Sequence, residues 1–149
     1  MIIVCTFVFL VPVHFGVYFG YIERDKAETA KLIEQFHTRM NTGQFDLIYD
    51  DASLYLRRSA TRETLTGAMR KAKDDYGAFE RVQSSQISVV KESDIEIRAV
   101  YNSSFEKGDA TEWFIFSIEG RNLRLRFYDV QRVHFPSPKA ISLEYQTFS

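Results

Sequence analysis

The chain has 149 residues, a formal net charge of −1, and 45% hydrophobic and 15% aromatic residues. This composition is sufficient for a folded core, and the length allows one domain of about 110 residues beside an apolar N-terminal segment. The near-zero net charge excludes a global electric field that would favour nucleic acid as a partner.

Metal and cofactor chemistry has no signature in this sequence. The only cysteine, Cys5, cannot form an intramolecular disulfide or build a thiolate zinc site by itself. The histidines, His14, His37 and His134, are too dispersed to form a metal set, and no pair of them has a metalloprotease spacing. We therefore expect no cofactor and no metal.

Residues 1–22 are apolar and contain no ionised side chain when His14 is neutral. About 20 such residues cross a bilayer as a helix, so we expect a single-pass membrane anchor. A cleaved signal peptide is the alternative, although the segment lacks a basic start and a small-residue cleavage site before Glu23. A third interpretation is an apolar start that is buried in the domain. Arg24 and Lys26 follow the segment, and the positive-inside rule then places the domain in the cytoplasm.

Helical periodicity dominates the chain from Asp25 to Tyr76. Asp25 with Glu28 resembles a capping box, which predicts a first helix over residues 26–42. The segment 45–49 is predicted as one or two helical turns, and residues 54–56 as a connector that docks apolar side chains. A further helix is predicted from about Thr61 to Tyr76, with a regular apolar stripe and Gly77 as its end.

The rhythm changes near residue 77, and apolar residues mostly alternate from Val82 to Val133. Alternation of this kind is typical of strands with one face in a core. Four strands are predicted, at about residues 83–91, 95–101, 112–118 and 123–128, and their short links favour an antiparallel meander. The third strand carries Phe114 and Phe116 on one face and Trp113 on the other, so we expect it to be central.

The predicted fold class is α+β: three N-terminal helices packed on a curved antiparallel sheet of about four strands. A transmembrane or signal helix at residues 1–22 precedes the domain, which spans residues 25–133. Residues 134–149 are expected to form a loosely attached C-terminal tail.

This order of elements resembles the nuclear-transport-factor-2-like, or cystatin-like, superfamily. The helix with Phe36 and Met40, the stretch GQFDLIY at residues 43–49 and the terminal hairpins carry the likeness. The chain is similar in particular to small bacterial membrane-anchored or secreted domains of that superfamily. The resemblance implies a cone-like sheet around the first helix, whose interior holds a steroid, a polyketide or nothing, and pairing of two copies through the sheet. It also shifts the expected location slightly towards an extracytoplasmic domain.

An isomerase or cyclase of this superfamily needs a carboxylate base and a group that stabilises an enolate oxygen. Asp129 and Tyr101 are the candidate catalytic pair, with Asp94 as a second carboxylate. The competing interpretation is that Asp129 ends its strand in solvent while the tyrosines fill the core. His37 is interpreted as a histidine at the core edge, bonded to backbone, rather than as a catalytic group.

Five residues are the candidates for a pocket or an interface: Phe36, Met40, Tyr49, Trp113 and Phe116. If Trp113 and Ile115 lie on the outer face of the sheet, near Tyr128, they form an apolar patch that suits a second copy of the chain. The alternative is that they face the helices. We expect a membrane-anchored, non-enzymatic domain for interaction or binding of a small apolar ligand, homodimeric through the sheet. A small-molecule isomerase or cyclase is the alternative.

Overall fold

The structure, a computed structural model, describes residues 10–91 and 94–133, and their side chains from Asp25 onward. Four helices precede four strands. The helices are α1 (Leu10–Thr42), α2 (Phe45–Asp51), α3 (Leu54–Ser59) and α4 (Arg62–Tyr76). The strands are β1 (Phe79–Lys91), β2 (Ile95–Phe105), β3 (Gly108–Glu119) and β4 (Asn122–Arg132). The predicted α+β class, with helices first and an antiparallel four-stranded sheet after them, is confirmed.

The first helix is longer than predicted. α1 is continuous over 33 residues from Leu10 to Thr42, so the predicted start near residue 26 is wrong. Residues 23–26 contain neither glycine nor proline, and extending an existing helix costs less than nucleating a new one. Residues 1–9 lie outside the described part of the chain. Within that part, none of the helices combines the length and the apolar character needed to span a bilayer.

Residues 54–59 form the helix α3, where the sequence predicted only a connector. The Ser53 hydroxyl caps this helix by accepting a hydrogen bond from the Leu56 amide, and the Ser53 amide donates to the Leu125 carbonyl at 2.8 Å. Thr61 caps α4 in the same way through the Thr64 amide. The alternation of Leu54 and Leu56 therefore reflects a short capped helix that is docked on β4.

The sheet has the strand order β1-β2-β3-β4, and every neighbouring pair is antiparallel. Turns at Glu106–Lys107 and Gly120–Arg121 connect the last three strands. The register shifts twice between β1 and β2, and once between β3 and β4 at Ile115 and Phe116. Such irregularities bend a strand and re-aim its side chains.

The sheet has an inner face, on which α1 packs, and an outer face. Phe114 of β3 is 1% exposed and lies edge-on to Phe36 of α1, with ring centroids 5.3 Å apart. Met40 and Phe116 are buried in the same core. Ile97, Ala99 and Tyr101 on β2 and Phe114 and Phe116 on β3 are all buried there.

Candidate functional site

The inner face carries one charged residue at a position that alternation assigns to the core. Glu112 precedes Phe114 and Phe116 at the spacing of two, and it is 0% exposed. Strand register brings its partners close, because Glu112 pairs with Tyr101 on β2 and with Val130 on β4. Ser103 and Tyr128 are therefore diagonal neighbours of Glu112, and α1 supplies His37 from above.

The Glu112 carboxylate accepts hydrogen bonds from three side chains. Ser103 Oγ donates to Oε2 at 2.6 Å, and Tyr128 Oη donates to Oε1 at 3.0 Å. His37 Nε2 lies 3.1 Å from Oε1 and 3.0 Å from Oε2. Burying a carboxylate is costly unless its oxygens are satisfied. This buried cluster of Glu112, His37, Ser103 and Tyr128, hereafter the Glu112 cluster, meets that condition.

The Glu112 cluster perturbs the tyrosine that belongs to it. Burial raises the pKa of Tyr128 well above its usual value, and the negative charge of Glu112 raises it further. The pKa of Tyr101 is also raised, mainly by burial and with a smaller contribution from Glu112, against a hydrogen bond with Ser85. Both phenols are thus kept as neutral groups on the inner face.

His37 is fixed on a second side by β1. Its imidazole stacks on the Phe79 ring, with centroids 3.7 Å apart and planes 7° apart. Phe79 is itself clamped to α1, because the Asn41 side chain donates to the Phe79 carbonyl and accepts from the Phe79 amide, each at 2.8 Å. The orientation of the His37 ring is therefore set by both a carboxylate and an aromatic plane.

A groove of about 670 Å³ opens between α1 and the first half of β1. We call it the α1–β1 groove. Its lining residues are Ala30, Ile33, Glu34, His37, Thr38 and Asn41 from α1, residues 79–82 and Ser85 from β1, and Tyr101 from β2. Ile33, His37 and Tyr101 are buried, whereas Ala30, Glu34 and Thr38 are exposed. Its floor is therefore apolar apart from the imidazole of His37 and the hydroxyl of Tyr101, and its rim is polar.

One nitrogen of His37 remains available. Within the described side chains, Nδ1 of His37 has no hydrogen-bond partner, and no buried side-chain nitrogen or oxygen lacks one. Nδ1 is therefore in contact with solvent. His37 lines the α1–β1 groove and a second void of only about 10 Å³, and of these two spaces the groove alone can admit more than a water molecule.

The predicted catalytic pair is not brought together. Tyr101 lies on the inner face and lines the groove, whereas Asp129 pairs with Trp113 on the outer face and accepts a hydrogen bond from Gln131. Asp94 is exposed in the turn between β1 and β2. The candidate pair Asp129 and Tyr101 is thus corrected: the carboxylate within reach of a tyrosine is Glu112.

The five predicted binding residues lie elsewhere than the groove. Phe36 and Phe116 share a small cavity of about 60 Å³, and Met40 lines the void beside Glu112. Tyr49 lies on α2, with the Arg62 guanidinium 4.6 Å from its ring centroid. Trp113 lies on the outer face. Among the described residues, these five therefore form core and surface rather than one pocket.

The outer face carries an apolar patch of Val100, Trp113, Ile115 and Phe127, hereafter the outer-face patch. Val100 pairs with Trp113 and Ile115 pairs with Phe127 across neighbouring strands. Phe127 is 45% exposed, and the other three residues are partly buried. Tyr128, which the sequence placed near this patch, is on the inner face instead, because it bonds Glu112.

Sequence reasoning missed Glu112 and Ser103. The signal was available, since continuing the buried alternation from Phe116 and Phe114 leads to Glu112, and continuing it from Ile97 leads to Ser103. The interpretation of His37 as a histidine bonded to backbone is wrong, because its ring bonds a side chain 75 positions away.

Comparisons with family models and with curated proteins give no functional assignment. No family model matches the chain, and no curated protein matches it. Among the described side chains there is also no group of three or more histidine, cysteine, aspartate or glutamate residues arranged to hold a metal ion.

Proposed function

We propose that the chain is a non-enzymatic binding domain that holds a small apolar molecule in the α1–β1 groove. The observation that supports this proposal is the size and lining of the groove. Its volume of about 670 Å³ falls in the range of roughly 300–1,000 Å³ that is typical of small-molecule sites. Buried Ile33 and Tyr101 supply an apolar floor, which is the usual source of affinity in such sites.

The charges at the groove favour a neutral ligand. Its lining contains two carboxylates, Glu34 and Glu80, and one guanidinium, Arg81. These residues are exposed, and their charges nearly cancel, so neither sign of ligand gains a strong field. A neutral molecule with an apolar body and few polar groups fits this lining best.

The test is binding of a neutral fluorescent probe, N-phenyl-1-naphthylamine, to the full chain in detergent, with the signal of protein-free detergent subtracted. Ala30→Phe fills the groove from α1, because Ala30 is exposed and lines it. Ala27→Phe is the matched control, since Ala27 is exposed on the same helix outside the groove lining. We expect Ala30→Phe to weaken binding by about tenfold, which corresponds to about 1.4 kcal/mol, and Ala27→Phe to leave it unchanged. Equal affinity of the two variants for the probe would contradict binding in the groove.

A second candidate is an acid–base enzyme of the isomerase or cyclase type, and the Glu112 cluster favours it. A carboxylate that orients an imidazole, whose other nitrogen meets solvent, is the arrangement of a general base. Glu112 itself has no room for a substrate, because the void beside it is about 10 Å³; His37 would be the reacting group. Exchange of the acidic C–H protons of β-tetralone in deuterated water, followed by NMR, separates the two candidates. Exchange that is accelerated by the wild-type chain and lost in His37→Gln would favour the enzyme.

We also propose a homodimer through the outer-face patch. The four apolar side chains of this patch support the proposal, together with Arg98 and Asp129 on opposite sides of them. A twofold axis in the interface plane can set Arg98 of one copy against Asp129 of the other. Trp113→Asp should halve the mass measured by light scattering. Ser84→Asp, which adds the same charge near the sheet edge, should not, and an unchanged mass in both variants would count against this face.

We also propose that the chain belongs to the nuclear-transport-factor-2-like superfamily and that residues 1–22 anchor it in a membrane. The order of helices and strands supports the first, and the uncharged apolar sequence of residues 1–22 supports the second. Alkaline carbonate extraction of cell membranes tests the anchor, and an intact mass of the mature chain tests cleavage. Release of the chain by carbonate, or loss of the first 22 residues, would contradict membrane anchoring by this segment.

A further inference from the structure

The Glu112 cluster determines where the proton of the His37 ring lies. Both atoms near Nε2 are oxygens of one carboxylate, at 3.1 and 3.0 Å, and a carboxylate accepts hydrogen bonds but has none to donate. The hydrogen-bond network therefore assigns the ring proton to Nε2. In the neutral imidazole, Nδ1 then carries a lone pair and no proton.

The same cluster also prevents the ring from turning over. A flip of the imidazole would remove the Nε2 donor from a carboxylate that is fully buried, and it would break the parallel stack on Phe79. Ser103 and Tyr128 hold the two oxygens of Glu112 in place from the other side. In the neutral ring, Nδ1 is thus an acceptor whose orientation is fixed before any ligand arrives.

We infer that His37 Nδ1 is the polar recognition point of the α1–β1 groove, and that it accepts a hydrogen bond from a hydroxyl or N–H group of the ligand. This inference rests on the proposed groove function and narrows its ligand class. Nδ1 meets solvent and has no partner in the described residues, while the ring lines a groove of ligand size. An apolar ligand that lacks a donor leaves this nitrogen desolvated and unpaired, which reduces its affinity.

The neighbouring polar groups of the groove floor are already committed. Tyr101 forms a hydrogen bond with Ser85, and Asn41 is occupied on both its amide nitrogen and its oxygen by Phe79 backbone. Asn41 therefore does not compete with His37 for the ligand donor. The expected ligand is therefore a neutral apolar molecule with at least one hydroxyl or N–H placed to reach the floor.

Indole and 1-methylindole test this inference, because they have similar size and differ in whether the nitrogen carries a proton. Binding to the full chain is measured by calorimetry in the same buffer. We expect indole to bind about three- to tenfold more tightly, as one added hydrogen bond implies. In His37→Phe, which retains a ring for stacking on Phe79, the ratio should fall to about one. Thr42→Val, which changes an exposed α1 residue outside the groove lining, should preserve it.

A measurement on the wild-type chain avoids any effect of the variants on folding. With ¹⁵N-labelled histidine, indole should shift the Nδ1 resonance of His37 more than that of Nε2, and 1-methylindole should shift neither by a comparable amount. Equal affinity of the two probes for the wild-type chain, with both bound in the groove, would overturn the inference and leave the groove function standing. Failure of both probes to bind would overturn the groove function, and the inference with it.

Discussion

The two faces of the sheet handle polar chemistry in opposite ways. The inner face buries Glu112 at 0% exposure and satisfies it with three donors, beside Phe114 at 1%. The outer face carries Arg98 and Asp129 beside its apolar side chains, and it leaves the ring of Phe127 on the edge strand β4 45% exposed. A buried charge with all its hydrogen bonds satisfied holds the surrounding side chains in fixed positions, whereas exposed apolar area favours contact with another molecule.

This contrast favours a different kind of binding partner for each face of the sheet. On the inner face, the Glu112 cluster orients one imidazole towards a groove, which suits recognition of a small molecule. On the outer face, the outer-face patch consists of side chains at paired positions of adjacent strands, namely Val100, Trp113, Ile115 and Phe127. A contiguous exposed apolar surface of this kind suits a protein partner.

The largest difference between the faces is expected for matched phenylalanines. Phe114→Ala should lower the free energy of unfolding by about 3–5 kcal/mol, because it opens a cavity in the core. Phe127→Ala should cost about 1 kcal/mol or less at low protein concentration, since the ring is 45% exposed. Urea denaturation measures both. A cost for Phe127→Ala that grows with protein concentration would indicate that the ring lies in the homodimer interface.

A smaller effect is expected for the carboxylates. Glu112→Gln retains the size of the side chain but leaves Ser103, Tyr128 and His37 with one carbonyl oxygen to share, so we expect a loss of about 2–3 kcal/mol. Asp129→Asn, the outer-face control on β4, should change stability by about 0.5 kcal/mol or less. Equal losses in the two variants would contradict the assignment of Glu112 to the inner face.

The smallest effect concerns alkaline pH. The folded pKa of Tyr128 is raised above the usual value of 10.0, so above that pH the folded chain holds a proton that the unfolded chain loses. Stability supplied by this group is present below about pH 10 and falls as the pH rises, by up to about 1.4 kcal/mol per pH unit. Tyr128→Phe should be about 1–2 kcal/mol less stable at neutral pH and should show a shallower alkaline decline. An unchanged decline, measured by urea denaturation at several pH values, would place the titration in another group.

The sequence predicted the architecture well because periodicity is a local property. The change of rhythm near residue 77 matches the end of α4 at Tyr76 and the start of β1 at Phe79. The alternation of Trp113, Phe114, Ile115 and Phe116 placed each of these side chains on one of two opposite faces, and their burial agrees. Errors arose where a local pattern was ambiguous, as at residues 54–56, or where a helix continued through a plausible cap, as at Asp25.

The candidate site could be predicted only in part, since it depends on distant pairings. Alternation alone marks Glu112 and Ser103 as inner-face residues. Their meeting with His37 requires the register of β2 on β3 and the position of α1 across the sheet. The β1 residues that line the groove also lie where the register of β1 on β2 shifts twice, and no pattern in the sequence indicates those shifts.

The central claim is that a small apolar molecule binds the inner side of the domain and not the outer-face patch. The most direct test is an NMR titration of the ¹⁵N-labelled full chain with indole. The account predicts saturable shifts of the Ala30, Glu34 and Thr38 amides, which line the groove, and an unchanged indole N–H resonance of Trp113, the only tryptophan in the chain. A shift of the Trp113 resonance with silent groove amides would contradict it.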